Sequence, residues 1–215
     1  MIDRRDVLQT LAVDRPVYHS EADFQHALAW EIHRRLPDAS IRLEYRVPHA
    51  PAKMYCDIWC TYRDQTCAIE LKYKTASLNV DVAGETFDLV SHAAQPPSRY
   101  DFLKDIQRLE QASVGHGGYA GYAVMLSNES TYWASPKKGH PIDADFRIDH
   151  GRTISGTLAW GTGASAGTRK NREQPIQLNG RYLLHWSDYS RVNAKPGGQF
   201  RYLLVHVGNG CVASR

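Results

Sequence analysis

Cysteine is scarce: four residues in 215, and Cys56, Cys60, Cys67 and Cys211 contain no C-x-x-C pair. That excludes an extracellular disulfide framework and makes a reduced cytoplasm the expected setting. Long hydrophobic runs are missing too. Nowhere do about 18 uncharged apolar residues follow one another, so no membrane-spanning helix and no membrane partner are expected. The first residues, Met1-Ile2-Asp3-Arg4-Arg5-Asp6, carry charge, but Gln9, Thr10, Asp14 and Arg15 break the apolar run after them, which makes a poor export signal. A dominant charge sign is absent as well. Lys and Arg number 26 against 23 Asp and Glu, leaving +3. This excludes a histone-like polybasic protein, yet it is compatible with a nucleic-acid enzyme that gathers positive charge near a groove and balances it elsewhere. There is no internal repeat.

What is present is an ordinary folding composition, 42% hydrophobic and 23% charged, which argues against disorder. At roughly 150 residues per domain the length suggests one domain with elaborations, large enough to build a core without disulfide or metal staples.

Ser20 to Leu36 reads as a helix, with Ser20 as N-cap, Asp23 at the third helical position and Pro37 ending it. At 100° per residue Glu21, Phe24, Leu28 and Ile32 share one face, so an acidic residue sits on an apolar stripe. Strand patterns follow at Ile41–Val47, Tyr55–Tyr62 and Thr66–Lys74, the last two joined by Arg63-Asp64-Gln65 as an antiparallel hairpin. A further hairpin spans Leu78–Val90 and turns near Ala83-Gly84. Pro96-Pro97-Ser98 introduces a helix over Arg99–Ala112 with Phe102, Leu103, Ile106 and Leu109 inward, and a strand follows over Tyr119–Ser127. Residues 128–179 are polar and rich in Gly, Ser and Thr, with a short strand near Ile154–Trp160, and read as an insertion or binding loop. Two strands close the chain, Arg181–Trp186 and Phe200–Val207, the latter apolar enough to be buried on both faces.

The chemistry concentrates in Cys56-Asp57-Ile58 and, after twelve intervening residues, Glu70-Leu71-Lys72. Strand alternation puts Glu70 and Lys72 on one face and Ile69 and Leu71 on the other. A hairpin centred near Asp64 brings Asp57 opposite Glu70. Two carboxylates in a partly dry site do not readily stay charged together. A hard divalent cation relieves that conflict, and Mg²⁺ prefers oxygen ligands completed by water. Lys72 then places an ammonium beside the ion, where it positions or activates water or stabilises a phosphate under attack. The metal acts as Lewis acid and water activator. Glu21 is a natural extra ligand, directly or through water.

An acidic residue on a first helix, a strand, then D-(x)12-E-x-K on a hairpin and a helix resembles the PD-(D/E)XK nuclease superfamily, which includes restriction endonucleases and archaeal Holliday-junction resolvases. The spacing Glu21-x-x-Phe24-x-x-x-Leu28 is similar to resolvase-like members. The resemblance covers about Ser20 to Ser127 and implies an α/β fold: a restriction-endonuclease-like mixed sheet flanked by helices in the order α-β-β-β-α-β. Residues 78–90 would be a hairpin insertion within that core, residues 128–180 an insertion, and residues 181–207 the closing strands of a β-rich C-terminal part, all in one domain. It further implies Mg²⁺ (with Mn²⁺ as substitute) held by Asp57, Glu70, the Leu71 backbone carbonyl and Glu21, with Lys72 as catalytic lysine. The implied activity is phosphodiester hydrolysis, foremost as a DNA endonuclease of restriction, repair or mobile-element defence type. The alternative is a catalytically silent module of the same fold that binds nucleic acid or assembles with partners. Cys56 stands where the name-giving motif has Pro, and Gln95, Arg99 and Tyr100 fit no further motif spacing.

Secondary signals are weaker. The basic run Arg169-Lys170-Asn171-Arg172 is a candidate phosphate-contacting arm, with Lys74, Lys137 and Lys138 as further nucleic-acid contacts. Gly161-x-Gly163-x-x-Ala166 has the spacing of a dinucleotide loop but lacks the acidic residue about 20 positions on, so it reads as a flexible loop. Strand alternation puts Cys56, Cys60 and Cys67 away from the acidic residues, under the helices, rather than around zinc. Trp186, Tyr189, Phe200 and Tyr202 read as core residues of the last strands. A homodimer would suit double-strand cutting.

Overall fold

The computed structural model describes residues 4–47, 50, 53–114, 119–136, 139 and 141–208. Lys137, Lys138 and Cys211 lie outside the described residues. The chain starts with a helix the sequence pattern did not announce, α1 (Arg4–Asp14). Its Val7, Leu8 and Leu11 are buried and make one stripe at helical spacing. Helix α2 (Glu21–Arg35) starts where expected: the Ser20 hydroxyl accepts the Asp23 N–H at 3.1 Å, a cap worth about 1 kcal/mol. Phe24, Leu28 and Ile32 form its buried stripe.

Strands β1 (Ser40–Arg46), β2 (Tyr55–Tyr62) and β3 (Gln65–Lys74) pair antiparallel in succession. The hairpin β4 (Leu78–Val82) and β5 (Glu85–Leu89) forms a separate ribbon. Helix α3 (Gln95–Val114) then carries the chain across, so that β6 (Ala120–Ser127) pairs parallel to β3. Gly121 on β6 permits this crossing, because a Cβ there would lie 3.1 Å from both Leu109 Cβ and the Val207 carbonyl oxygen.

The C-terminal part departs from expectation. Arg181–Trp186 is not one strand but the end of one and the start of the next. Strands β7 (Thr153–Leu158) and β8 (Ile176–Leu183) form their own ribbon, with the short helix α4 (Ala166–Arg169) between them. Strand β9 (Trp186–Arg191) belongs to the main sheet. The alternation itself runs on through Leu183, 65% exposed, and Leu184, fully buried; what changes is the partner, since Leu184 still bonds to Gly151 and Arg152 whereas Trp186 pairs with Leu203 of the main sheet. Strand β10 (Gln199–Val207) pairs antiparallel with both β6 and β9, completing a six-stranded mixed sheet in the order β1-β2-β3-β6-β10-β9.

The sheet separates two cores. Helices α1 and α2 cover one face over Ile58, Ile69, Leu71, Tyr73, Val124 and Tyr202. On the other face α3 and the β7–β8 ribbon enclose Phe102, Leu103, Ile106, Met125, Leu178 and Leu203. Trp186, Tyr189, Phe200 and Tyr202 are core residues, as their pattern suggested. The cysteines divide between the faces. Cys60 and Cys67 are cross-strand partners on the α1–α2 side, whereas Cys56 belongs to the core on the α3 side. Among the described residues no helix is long and apolar enough to cross a membrane.

Candidate metal and catalytic site at an opened strand edge

The β2–β3 ladder stops at Ile58↔Ile69, one step before Asp57 and Glu70 would pair. On β1 the residue opposite Asp57 is Glu44, between the Leu43↔Ile58 and Tyr45↔Cys56 pairs, and Glu44 has φ of +49°. A non-glycine residue in that region costs about 1–2 kcal/mol, and such irregularities end pairing or re-aim a side chain. Buried Gln25 of α2 holds the distortion in place: its amide donates to Glu44 Oε1 at 2.9 Å and to the Asp57 carbonyl at 2.7 Å.

Beyond the break β3 keeps β6 on one side only, and carboxylates serve the N–H groups on the other. Asp57 Oδ2 accepts the Leu71 N–H at 2.5 Å, and Glu21 Oε2 accepts the Tyr73 N–H at 2.7 Å. An unpaired buried amide is expensive, so these side chains replace the missing strand. The Leu71 carbonyl faces the same opening, where Lys72 Nζ donates to it at 3.2 Å. The ammonium also lies 2.7 Å from Asp105 Oδ2 on α3. Arg108, one turn on, donates to Asp105 Oδ1 at 2.9 Å and comes within 3.6 Å of Glu70 Oε1.

The charges are crowded, and Glu70 and Asp105 among them are nearly dry. Burial above all, then the charge of Asp105, pushes the Glu70 carboxyl up to about 9 against the pull of Arg108. Asp57 rises to about 6, again chiefly through burial, with the Leu71 N–H opposing the rise. For Lys72 burial is the largest influence and disfavours the ammonium, but the adjacent Asp105 outweighs it and raises the pKa. Glu70 Oε1 and Asp105 Oδ2 are buried without a hydrogen-bond donor, and the Tyr119 hydroxyl is buried without a partner, its pKa raised chiefly by burial and further by Cys56 and Glu70. Around the opening the carboxylates of Glu21, Asp57, Glu70 and Asp105 outnumber the cations Lys72, Lys74 and Arg108.

A hard divalent ion fits the inner part of this set. Two carboxylates whose charged forms the fold disfavours, one oxygen lacking a donor, and a carbonyl on the same edge are the donor types Mg²⁺ takes, with waters completing the shell. Among the described residues no three His, Cys, Asp or Glu side chains converge as a ligand cluster. Glu21 in particular sits one two-residue step farther along β3, engaged with the Tyr73 N–H and with Lys74 Nζ at 3.3 Å.

The basic candidates are spread out. Lys74 is paired with Glu21. Arg172 makes a two-pronged ion pair with Asp101 of α3, both contacts 2.7 Å, about 6 Å along the helix axis from Asp105. Arg169 and Lys170 are exposed beside it. Arg99 forms a buried ion pair with Asp143 at 2.6 Å and belongs to the scaffold. The apolar hollow between α1, α2 and the sheet, bordered by Leu8, Leu28, Ile32 and Ile69, has no charged residue in its lining.

The sequence reading missed Asp105, Arg108, Gln25 and Glu44. Asp105 was detectable by the argument that singled out Glu21, since it shares an apolar helical stripe with Phe102 and Leu109. The left-handed turn at Glu44 had no local signal. No match was found among family models, curated proteins or solved structures.

Proposed function

We propose that this chain is a Mg²⁺-dependent nuclease that hydrolyses phosphodiester bonds, foremost in DNA, on a restriction-endonuclease-like core. The observation that carries the reading is the opened edge of β3, where Asp57, buried Glu70, the Leu71 carbonyl and Lys72 meet. Asp57, Glu70 and the Leu71 carbonyl would hold the ion, which supplies Lewis acidity to a phosphate and its attacking water. Asp57 stays anchored to the Leu71 N–H, which fixes the carboxylate at the edge. Lys72 contributes a fixed positive charge against a phosphate oxygen, the electrostatic stabilisation that phosphoryl chemistry most needs. Glu21 acts from one step away, holding Lys74 and the end of β3. Arg169 and Lys170 engage backbone phosphates without reading sequence. A cytoplasmic location and a homodimer, suited to cutting both strands, complete the proposal.

The second reading is the silent nucleic-acid-binding module, favoured by one observation: Lys72 is already committed to Asp105. Incubation with plasmid, branched DNA, single strands and RNA in Mg²⁺ or Mn²⁺ separates the two. Cutting that disappears in Asp57→Ala and Lys72→Ala supports the nuclease. Equal cutting by wild type and both variants refutes it. Tight DNA binding with neither cutting nor calorimetric Mg²⁺ binding selects the silent module.

A further inference from the structure

A lysine ammonium ends a flexible four-carbon stem rich in rotamers, so a lysine that works at one point must be held there. Lys72 is held from outside its own strand. Its Nζ contacts Asp105 Oδ2 at 2.7 Å and donates to the Leu71 carbonyl at 3.2 Å, and the two side chains of the ion pair are only 18% and 6% exposed. An exposed pair of this kind contributes little, whereas in a largely desolvated one neither charge can leave its partner without standing uncompensated in the interior. Asp105 is held in turn. Arg108 Nη1 donates to its other oxygen at 2.9 Å, and Arg108 Nη2 donates to the Tyr55 carbonyl at 2.8 Å. A continuous polar chain therefore runs from β2 through Arg108 and Asp105 of α3 to Lys72 and back to β3. One N–H of the ammonium goes to the Leu71 carbonyl, while Asp105 Oδ2, buried and without a hydrogen-bond donor, holds it by charge at 2.7 Å.

We propose that Asp105 is a positioning residue of this site: the charge of its carboxylate holds the Lys72 ammonium at the Leu71 carbonyl, where it can meet a phosphate oxygen, and Arg108 holds Asp105. The inference rests on the nuclease reading and goes beyond it, since that reading assigns no role to Asp105 or Arg108. It also explains why the charged pair Asp105 and Arg108 occupies a helix whose neighbouring residues Phe102, Leu103, Ile106 and Leu109 are fully buried. A helix needing only to cover the sheet would place apolar side chains there.

The test uses the full chain with Asp105→Asn, which keeps shape and loses charge, and Asp105→Glu, which keeps charge. Removing a group that orients a metal-site residue costs roughly 10- to 100-fold. For Asp105→Asn that loss is expected in kcat, with KM for DNA and the Mg²⁺ concentration for half-activity little changed, and Asp105→Glu should recover part of it. A purely structural role would lower the unfolding midpoint of both variants and leave kcat intact well below it. The second readout needs no activity. Acylation of lysines in metal-free protein, quantified by mass spectrometry, should label Lys72 roughly tenfold faster in Asp105→Asn, with Lys74 unchanged as internal control. Unchanged kcat in Asp105→Asn, or unchanged Lys72 labelling, overturns the inference. A wild type that cuts nothing overturns the nuclease reading instead, and the labelling then decides whether Asp105 holds Lys72.

Discussion

Replacing Glu70 by glutamine should make the metal-free protein more stable. With a folded pKa of about 9 against an unfolded 4.5, Glu70 binds a proton on folding at every pH between those values. A carboxyl raised in this way contributes fully below the unfolded pKa and loses its contribution as pH rises through the folded one. At pH 7 the proton has to be taken up over two and a half pH units, which costs about 3 kcal/mol at 1.36 kcal/mol per unit. A glutamine side chain at this position would be neutral in both states and bear no such cost. In EDTA, urea titrations should therefore show the two proteins equal near pH 4.5. Glu70→Gln should lead by about 2–3 kcal/mol at pH 7 and by more at pH 8.5, or several degrees in Tm for a chain of this size. Mg²⁺ at about 100 times its dissociation constant should then return about 3 kcal/mol to wild type and nothing to the variant. A variant less stable than wild type at pH 7, or a difference independent of pH, refutes the burial argument at Glu70.

Three further outcomes follow from other contacts. Gln25→Ala releases the clamp on Glu44 and Asp57 and should weaken Mg²⁺ binding roughly tenfold by calorimetry, with the far-ultraviolet spectrum unchanged; undiminished affinity would show that the clamp is dispensable. Glu110 accepts the Asn179 and Gly180 N–H groups and the Tyr182 hydroxyl, tying α3 to β8, so Glu110→Ala should cost about 3 kcal/mol in urea titration; a loss under about 1 kcal/mol contradicts the assignment. Glu31 is held below the usual carboxylate range, because its bonds to Arg34 and Arg35 outweigh the opposing effect of burial. Its contribution is present above the unfolded pKa and lost in acid. Glu31→Gln should cost about 1 kcal/mol at pH 7 and converge with wild type as acid protonates the carboxylate; a pH-independent difference contradicts this.

The elements legible in the sequence alone are those that advertise themselves locally. The Ser20 cap, the alternation in β2 and β3, the turn at Arg63-Asp64 and the buried stripe of α3 all lie within a few residues of the groups that specify them. The sequence also placed Asp57 and Glu70 in register, because a hairpin's turn fixes its pairing. It did not show that the ladder opens at that very pair. That depends on Glu44 turning left-handed on a third strand and on Gln25 reaching in from a helix. Nor could it tell Glu21 as a neighbour along the edge from Glu21 as a ligand, a difference set by which N–H its carboxylate meets. Asp105 and Arg108 arrive at Lys72 only because β3 and β6 pair in parallel and send α3 across the sheet. Residue identity fixes what each group can donate or accept. Which groups meet, and how dry their meeting place is, follows from pairings between segments far apart in the chain.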